Sequence, residues 1–296
     1  MNLFITGVNG ALGWNLAQFF HSIGNRISGS FHLSPPPFPA PKLERDFIRL
    51  NLEDPSCAQR QLESIPEETD AIIHCAALTD VNYCQENPEL ARIINDKGTE
   101  LVVSAARQRN AALVYISTDF VFPGSHEYYL ENSPPNPAGI YGQTKLSGEI
   151  STLTYERGAV IRFTPLDHPY HLSHHSNTLV RWMESTPAGG PALKLFSDKT
   201  FSPVSAREVF EICEKILIEL EAGNGGSGIW HACSQEILSV YETGVLIRDH
   251  FKLSTNLVPS TFPDNEYGRI RPRHSGLKST RHPSRSIMQI LSELRE

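Results

Sequence analysis

The feature that most constrains the fold is the alternation of short β-rich runs with helix-like segments along the first half of the chain. The runs are NLFIT, NRISGSF, DFIRLNL, DAIIHCA, ALVYIST and AVIRFT, and they are spaced for intervening helices. Such alternation is typical of a parallel, doubly wound α/β sheet, because parallel strands are joined by crossover connections. The sequence therefore predicts an α/β protein built on that sheet.

Two periodic segments between the runs predict crossover helices. ALGWNLAQFFHSIG stops at Gly24, and PELARIINDKGTELVVSAARQRN opens on Pro88, a residue favoured in the first helical turn. The Pro-rich LSPPPFPAP at 33–41 predicts a surface excursion after the second strand. After about residue 165 the alternation weakens, and the Gly-rich AGNGGSG at 222–228 separates a helix-like segment from the strand-like GIWHACS. We expect these later pieces to form a smaller lobe over one edge of the sheet.

The first strand runs directly into TGVNGALGWNL, where Gly7, Gly10 and Gly13 surround the start of a helix. Glycines at this junction allow a tight turn and a close approach of the backbone to a pyrophosphate, whose charge meets free N–H groups at the positive end of the helix. The alternative interpretation is a glycine-rich turn that only connects a strand to a helix. The position of the turn at the first strand–helix junction of a doubly wound pattern favours dinucleotide binding.

The end of the second predicted strand bears on the choice between NAD and NADP. Dinucleotide-binding sites for NAD usually carry an acidic residue there, which holds the ribose 2′-hydroxyl. This chain has Ser30, Phe31 and His32 instead, so no carboxylate repels a 2′-phosphate. The sequence therefore favours NADP, with NAD as the alternative, and His32, Lys42 and Arg45 are candidates to approach the phosphate.

A tyrosine and a lysine four residues apart are candidate reactive groups. Tyr141 and Lys145 lie in the helix-like YGQTKLSGE, and positions i and i+4 of a helix share a face. A phenol with a pKa near about 10 is a poor acid at neutral pH, and a neighbouring cation lowers that pKa. The strand-like YISTDFVF places Thr118 at a strand end, where open α/β sheets bind ligands. Taken alone, a Tyr/Lys pair is more often structural, and Asp119 is expected to orient local backbone only.

Five motifs in a fixed order identify a family resemblance. TGVNGALG, HCAALTDV, YISTDFVF, YGQTKLSGE and RPRHSGL together resemble the extended short-chain dehydrogenase/reductases, and most closely the dTDP-4-dehydrorhamnose reductase branch. The resemblance covers nearly the whole chain. It implies an NAD(P)-binding domain of Rossmann type over residues 1–165. The remaining residues, 166–296, would form mainly a smaller C-terminal α/β substrate-binding lobe, with a segment near 195–235 returning to the first domain.

The resemblance also implies a mechanism and a set of contacts. Tyr141 would donate a proton to a sugar ketone, Lys145 would bind the nicotinamide ribose and lower the pKa of Tyr141, and Thr118 would hydrogen-bond the reacting oxygen. NADPH or NADH would supply the hydride, and Asn95 matches a helix asparagine that supports the active-site backbone. Besides Tyr141 and Lys145, the implied cofactor contacts are Gly7, Asn9, Gly10, Ala11, Leu12, Gly13, Asn51, Leu52, Ala76, Ala77 and Thr79. The implied substrate contacts are Val81, Thr118, Phe120 and Tyr141.

Departures from the branch fall on the substrate side. Its members usually continue after the sixth strand with a segment that contains tryptophan, whereas this chain has RFTPLDHPYHLSHH there. Members also commonly have a tyrosine directly after the STD triplet, and this chain has Phe120 at that position. These changes leave Thr118, Tyr141 and Lys145 in place, but they leave the identity of the sugar substrate undetermined. The same segment contains His168, His171, His174 and His175, but no Cys or carboxylate cluster accompanies them. We expect a substrate-facing or exposed loop there and no metal site.

Composition excludes several classes of function. The formal net charge of -7 opposes nucleic-acid binding, and the sequence has no run of about 18 apolar residues that could span a membrane. The N-terminus lacks a basic region followed by an apolar run, so we expect no cleaved signal. Five scattered cysteines without a CxxC pair favour reduced thiols over disulfides or a structural zinc. We therefore expect a cytoplasmic protein.

The leading interpretation is an NAD(P)H-dependent reductase of a 4-keto nucleotide-sugar. One alternative is a non-catalytic NADP-binding subunit, because the regulatory β subunit of methionine adenosyltransferase resembles the same reductases. Another is a nucleotide-sugar epimerase or dehydratase, which would keep its cofactor through the catalytic cycle. A homodimer is one assembly that the branch allows, and the sequence discloses neither the sugar nor the nucleotide.

Overall fold

A computed structural model of the chain describes residues 1–33, 47–167, 179–187 and 189–294. Lys42, Arg45 and the four histidines of HPYHLSHH lie outside the described residues. The strands are β1 (Asn2–Thr6), β2 (Arg26–Phe31), β3 (Phe47–Arg49), β4 (Ala71–His74), β5 (Ala112–Thr118), β6 (Tyr128–Tyr129), β7 (Gly158–Phe163), β8 (Pro165–Asp167), β9 (Leu193–Phe196), β10 (Thr200–Phe201), β11 (Val204–Ser205), β12 (Gly228–Ala232), β13 (Leu238–Ser239), β14 (Leu257–Ser260) and β15 (Gly276–Leu277).

The α-helices are α1 (Ala11–Ser22), α2 (Pro55–Leu62), α3 (Val81–Glu86), α4 (Pro88–Ala91), α5 (Gly98–Arg109), α6 (Ile140–Leu153), α7 (Leu179–Glu184), α8 (Ala206–Glu221), α9 (Val240–Phe251), α10 (Glu266–Arg269) and α11 (Ile287–Glu293). A π-helical turn, Arg92–Lys97, joins α4 to α5, and a 3₁₀ turn, Asp119–Val121, follows β5. None of the helices in the described ranges is long and apolar enough to cross a membrane.

One sheet organises the described part of the chain. Its seven strands are all parallel and follow the order β12, β7, β5, β4, β1, β2, β3. The chain moves from β1 to β2 and β3 on one side and then returns to β4 on the other, so a crevice opens at the carboxyl ends between β1 and β4. The predicted doubly wound parallel sheet is confirmed.

Side-chain alternation along the strands builds a hydrophobic core on each face of the sheet. Leu3 and Ile5 of β1 belong to a core shared with α1, α8 and α11, whereas Phe4 belongs to a second core with α2 and α5. Successive side chains of a strand point to opposite faces of the sheet. When consecutive residues are apolar, both faces must therefore be covered. Helices on both sides satisfy that requirement.

The part of the chain after residue 165 contributes to this sheet and to short strand pairs around it. β12 lies beside β7 with Trp230 opposite Ile161, and α8 packs against α1. The pairs are β11 with β8, β14 with β9, β10 with β13 and β15 with β6. Because β15 pairs with β6, residues near the C-terminus lie beside the segment that follows β5.

The segment from Pro88 to Arg109 differs from the uninterrupted helix that its periodicity predicts. Pro88 does occupy the first helical position, but residues 92–97 form a π-helical turn, and α5 ends before Asn110 in a left-handed conformation with φ 51°. Asn95 lies in the π-helical turn, where its side chain accepts from the Leu78 amide at 2.8 Å and donates to the Leu78 carbonyl at 3.0 Å. The irregular turn therefore positions the side chain that holds the backbone after β4.

Candidate active site

A cavity of about 710 Å³ opens at the carboxyl ends of β1, β4 and β5. Its walls come from the β1–α1 turn, the ends of β2, β4, β5 and β7, and the first turns of α6. Of the residues predicted to form the site, those that line this cavity are Gly7, Asn9, Gly10, Ala11, Leu12, Gly13, Leu52, Ala76, Ala77, Thr79, Val81, Thr118, Phe120, Tyr141 and Lys145. The fold thus gathers residues from well-separated motifs around one space.

The structure does not bring Asn51 to the cavity. Its side-chain oxygen accepts a hydrogen bond of 3.2 Å from the Glu53 amide, and its own amide donates to Gln61 at 2.8 Å. An Asn side chain that bonds the backbone two residues on forms a local turn. The implied cofactor contact is therefore not supported for Asn51, whereas the neighbouring Leu52 and Glu53 do line the cavity.

Several lining residues escaped the sequence interpretation. Most follow or end a strand, which is the signal that would have found them, because ligands bind at the carboxyl ends of parallel strands. The residues are Leu50, Glu53, Cys75, Leu78, Ile94, Ile116, Phe163, Thr164 and Pro165.

The β1–α1 turn requires glycine at two positions. Gly7 has φ +64°, and a Cβ atom there would lie 2.9 Å from the Ala76 Cα, while a side chain at Gly13 would meet the Gly7 carbonyl. α1 begins at Ala11 after Gly10, without a side-chain cap. The N–H groups of a first helical turn have no intrahelical partner and, with the helix dipole, favour an anion. The turn therefore fits the pyrophosphate of a dinucleotide.

A buried hydrogen-bond chain holds the turn after β4 against β1. Thr6 Oγ1 accepts the Ala76 amide at 3.1 Å and lies 2.7 Å from His74 Nδ1, and His74 Nε2 lies 3.2 Å from Thr99 Oγ1. Burial, helped by the charge of Lys145, lowers the pKa of His74 to about 3, so the imidazole is neutral. A neutral imidazole can accept from Thr6 and donate to Thr99 at once. The chain thereby fixes the backbone of Ala76 on the cavity wall.

The end of β2 forms the far wall of the cavity through Ser30, Phe31 and His32, and none of these three is acidic. Ser30 is 1% exposed, and its hydroxyl has no hydrogen-bond partner within the described ranges. Buried polar groups are normally hydrogen-bonded, so an orphaned hydroxyl on a cavity wall fits a polar ligand group. The absence of a carboxylate from these residues suits a ligand with a 2′-phosphate.

Thr118 and Tyr141 meet on the wall opposite the glycine turn. Thr118 ends β5, and its Oγ1 donates to Asp119 Oδ1 at 3.0 Å and accepts the Phe120 amide at 3.2 Å. Tyr141 lies in the first turn of α6 and packs edge-on against Phe120, with 5.6 Å between the ring centroids. A hydroxyl and a phenol are therefore presented together to the cavity.

Lys145 lies one helical turn after Tyr141 and is 3% exposed. Its Nζ donates to the Ile116 carbonyl at 2.7 Å and lies 4.1 Å from the centroid of the Tyr115 ring. Burial lowers the pKa of Lys145 to about 7, and the carboxylate of Glu149 opposes this change. In this arrangement the lysine is anchored to β5 and loses its charge near neutral pH.

The pKa of Tyr141 moves in the direction opposite to the prediction. Burial raises it above that of an ordinary phenol, a hydrogen bond with Thr118 acts to lower it, and the charge of Asp119 raises it further. The prediction that Lys145 lowers this pKa is wrong for the structure described, because desolvation of the phenolate dominates and the ammonium is directed to Ile116. Like an ordinary phenol, Tyr141 is protonated at neutral pH, and the raised pKa makes it a weaker acid in the structure described.

A buried ion pair ties α6 to the sheet beneath these groups. Arg162 of β7 donates to Glu149 through Nε at 2.9 Å and Nη2 at 2.6 Å, and both side chains are 1% exposed. Glu149 also accepts from Ser117 Oγ at 2.5 Å, and the guanidinium lies 4.9 Å from the centroid of Phe122. Such a two-pronged pair is geometrically specific. Because Glu149 follows Lys145 by one turn, the pair fixes the helix that carries the candidate reactive groups.

Metal chemistry has no candidate centre in the described part of the chain. Within residues 1–33, 47–167, 179–187 and 189–294, no group of three or more His, Cys, Asp or Glu side chains is arranged to hold a metal ion. The site instead combines an anion-binding turn, a neutral phenol, a hydroxyl and a buried amine.

Comparisons with known proteins agree with this geometry. A protein family described as "RmlD substrate binding domain" matches residues 1–294. The probable low-salt glycan biosynthesis reductase Agl14 of Haloferax volcanii is 30% identical over 283 residues, which are 94% of this chain and 89% of that protein. Methionine adenosyltransferase 2 subunit beta of Danio rerio is 26% identical over 280 residues, which are 94% of this chain and 83% of that protein.

Among solved structures, dTDP-4-dehydrorhamnose reductase of Bacillus anthracis in complex with NADP superposes with a TM-score of 0.82. It is 24% identical, and the comparison covers 99% of this chain and 99% of that one. At this identity the likeness establishes a common fold over nearly the whole length of both chains.

Proposed function

Because the chain belongs to the RmlD substrate-binding domain family, we propose that it is an NAD(P)H-dependent reductase of a 4-keto nucleotide-sugar. The observation that carries the proposal is a single cavity in which Thr118, Tyr141 and Lys145 lie across from the glycine turn that fits a pyrophosphate. The reductase relative from Haloferax volcanii supports it, since the match covers most of both proteins. The enzyme is thus an oxidoreductase that converts a sugar ketone to an alcohol.

Each residue has a distinct role in the proposed reaction. A nicotinamide cofactor held in this cavity would supply the hydride that reduces the keto carbon. Tyr141 donates its proton to the oxygen as negative charge develops there. Thr118 hydrogen-bonds the same oxygen, and preorganised donors of this kind stabilise an oxyanion strongly in a site that excludes water. Lys145 would hold the nicotinamide ribose, one helical turn from the proton donor.

NADP is the proposed cofactor, with NAD as the alternative. The end of β2 presents Ser30, Phe31 and His32 to the cavity and no acidic residue that would repel a 2′-phosphate. The solved reductase from Bacillus anthracis holds NADP on the same fold. Titration with NADPH and NADH, followed by nucleotide fluorescence, tests the preference, and tighter binding of NADH would contradict it.

The reaction is tested by following NADPH absorbance at 340 nm with a panel of nucleotide-linked 4-keto-sugars that begins with dTDP-4-dehydrorhamnose. On the accepted substrate, Tyr141→Phe is expected to lower kcat by about 10²–10⁴-fold, because general-acid catalysis contributes about that much. Tyr128→Phe is the matched control, since Tyr128 is 44% exposed. If Tyr141→Phe reduces the substrate as fast as the wild-type protein, the proposed mechanism fails. Release of one NADP⁺ per product distinguishes a reductase from an epimerase or dehydratase.

A second candidate function is that of a non-catalytic, NADP-binding partner subunit. The observation that favours it is the match to methionine adenosyltransferase 2 subunit beta over 94% of the chain. The presence of Thr118, Tyr141 and Lys145 in one cavity favours catalysis instead. Stable co-purification with a methionine adenosyltransferase, together with no turnover of any keto-sugar in the panel, would decide for the partner subunit.

We also propose the division into a cofactor-binding domain, 1–165, and a mainly substrate-binding lobe, 166–296, with the segment near 195–235 belonging to the former. β12 beside β7 supports that last assignment. Limited proteolysis with and without NADPH tests the boundary, because cofactor should protect the first domain.

A homodimer is the proposed assembly, and sedimentation velocity is its test.

A further inference from the structure

Tyr115 is a buried aromatic residue to which the mechanism above gives no role. It lies in β5 and is 1% exposed, and the Lys145 ammonium lies over its ring, 4.1 Å from the centroid. A cation at this distance from the face of an aromatic ring is attracted by the negative charge density of that face, more strongly where water is excluded. Because Lys145 is only 3% exposed, the contact lies in such an environment.

The ammonium of Lys145 has few other groups that compensate its charge. Its Nζ donates to the Ile116 carbonyl at 2.7 Å. Glu149, one turn further along α6, is bound twice by Arg162 and makes no salt bridge with Lys145 within the described residues. A buried charge is costly unless it is compensated. The face of the Tyr115 ring therefore supplies, by direct contact, compensation that the carboxylate does not.

The helix that carries Lys145 has a glycine where the Tyr115 ring approaches it. Gly148 follows Lys145 by three residues, and a Cβ atom there would overlap the Tyr115 hydroxyl. Residues three apart on a helix share a face, so the glycine leaves the space in which the ring lies against the lysine. The ring also lies 5.6 Å from that of His74 in β4, measured between centroids. Contacts from α6 and β4 therefore fix the position of the ring.

We propose that Tyr115 is a positioning residue of the reductase, whose ring holds the Lys145 ammonium at the cavity wall for the nicotinamide ribose. The inference rests on the proposed function. Lys145 lines the cavity, whereas Tyr115 is not among the described residues that do, so the ring acts through the lysine. An ammonium has three N–H donors, and the Ile116 carbonyl takes one, which leaves two for ribose hydroxyls. Hydrogen bonds from a charged donor are about twice as strong as neutral ones, so a ring that favours the charge strengthens cofactor binding.

Several ionisable groups face the Lys145 ammonium or the ring of Tyr115. They are His74 of β4, Cys75 after β4, Tyr115 itself, Tyr141 and Glu149 of α6, and Asp96 of the π-helical turn. Burial lowers the pKa of His74 to about 3 and raises that of Cys75 to about 12. Burial also raises the pKa of both phenols, so these four groups stay uncharged near pH 7. Burial lowers the pKa of Lys145 to about 7, although Glu149 acts to raise it.

The direct test measures the pKa of Lys145 by NMR on protein labelled with ¹³C at lysine Cε, where the Lys145 signal is identified by its loss in Lys145→Met. Tyr115→Leu is expected to lower this pKa by about one unit, because a desolvated ring favours the ammonium by about that much. Tyr115→Phe keeps the ring and should leave the pKa within about 0.3 units of wild type. Tyr155→Leu is the matched control, since Tyr155 is a 6% exposed tyrosine whose ring lies 5.4 Å from the Arg107 guanidinium instead.

Cofactor affinity is measured on the same proteins by titration with NADPH at pH 7, followed by nucleotide fluorescence. A pKa one unit lower reduces the charged fraction of Lys145 from about half to about a tenth, so Tyr115→Leu should bind NADPH about fivefold more weakly. Tyr115→Phe and Tyr155→Leu should stay within about twofold of the wild type. In the Lys145→Met background, Tyr115→Leu should cause no further loss, because the ring acts through the ammonium.

An unchanged Lys145 pKa or unchanged NADPH affinity in Tyr115→Leu overturns the proposal, and so does an equal change in Tyr155→Leu. Losses of affinity that multiply in the Tyr115→Leu, Lys145→Met double variant overturn it as well, because the ring would then act by another route. If Tyr115→Leu does not fold, Tyr115→Met, whose flexible side chain fills irregular space, replaces it. These measurements need no keto-sugar. A wild-type protein that reduces none refutes the reductase assignment, while the pKa and the affinity still decide the role of the ring.

Discussion

Arg162→Met removes the cation of the buried pair that ties α6 to β7. In the wild-type protein Arg162 makes two hydrogen bonds to Glu149, of 2.9 and 2.6 Å, and both side chains are 1% exposed. Methionine has the length of the arginine stem but no donor. Glu149 would keep the bond from Ser117 and the nearby amine of Lys145, but it would lose the guanidinium that pairs with it in the interior.

The expected loss is large because a stranded buried charge is costly. Removing one partner of a buried ion pair destabilises a protein by about 3–5 kcal/mol. An unfolding entropy of about 2.1 cal/mol/K per residue corresponds to about 0.6 kcal/mol/K for 296 residues. The melting temperature should therefore fall by about 5–8 °C. Adding Glu149→Gln neutralises the stranded carboxylate while keeping an acceptor for Ser117, so the double variant should regain at least about half of the loss.

Differential scanning calorimetry at pH 7 on the full chain measures these shifts. Arg92→Met is the control, because its ion pair with Glu89 spans a similar 3.0 Å but the two side chains are 47% and 83% exposed. That change should move the melting temperature by less than about 1 °C, since exposed pairs contribute little. A shift under about 2 °C for Arg162→Met, or a double variant that melts below it, would refute the reasoning about the stranded charge.

Three further outcomes follow from the geometry of the site. Gly7→Ala should weaken NADPH binding by at least about tenfold in a fluorescence titration, because the positive φ and the 2.9 Å approach to Ala76 force the turn to move; unchanged affinity would contradict this. Lys145 has a folded-state pKa of about 7, below its unfolded value, so the unfolded chain binds more protons above that pH and stability should rise with pH between about 7 and 10. Urea unfolding at pH 7 and 9 should show a smaller rise for Lys145→Met than for the wild type. Asn95→Ala should lower the unfolding free energy by about 1–3 kcal/mol in urea because the Leu78 amide loses its acceptor, and an unchanged value would count against that role.

The fold was readable in the sequence because its signals are local. Apolar runs bounded by turn residues predict strands, and each strand's own composition shows that both of its faces are covered. The glycine turn is also a local signal. Only a glycine tolerates φ +64° beside Ala76, so Gly7 at a strand–helix junction reveals this turn in the sequence. Helix spacing placed Tyr141 and Lys145 on one face, and the family resemblance implied that Thr118 joins them.

The structure departs from the sequence interpretation where the outcome depends on which hydrogen bond a side chain makes. Asn51 sits in the predicted region, but its side-chain oxygen accepts from the Glu53 amide, and the composition of LNLEDP does not determine that hydrogen bond. The sequence around Asn95 has ordinary helical periodicity and does not predict a π-helical turn. The role of that turn becomes clear only from the hydrogen bond between the Asn95 side chain and the Leu78 amide. Neither result has a signature in the sequence pattern.

The sequence by itself determined the doubly wound sheet, the anion-binding turn and which residue types face the cavity, since these follow from backbone preference and side-chain period. Only the tertiary structure decided the protonation of the site. Tyr141 has a raised pKa because the assembled core desolvates it, Lys145 is directed to Ile116, and the charge of Lys199, 80 positions away in the sequence, acts to lower the pKa of Asp119. Desolvation and Coulomb interaction depend on distance in space, which a linear pattern does not contain.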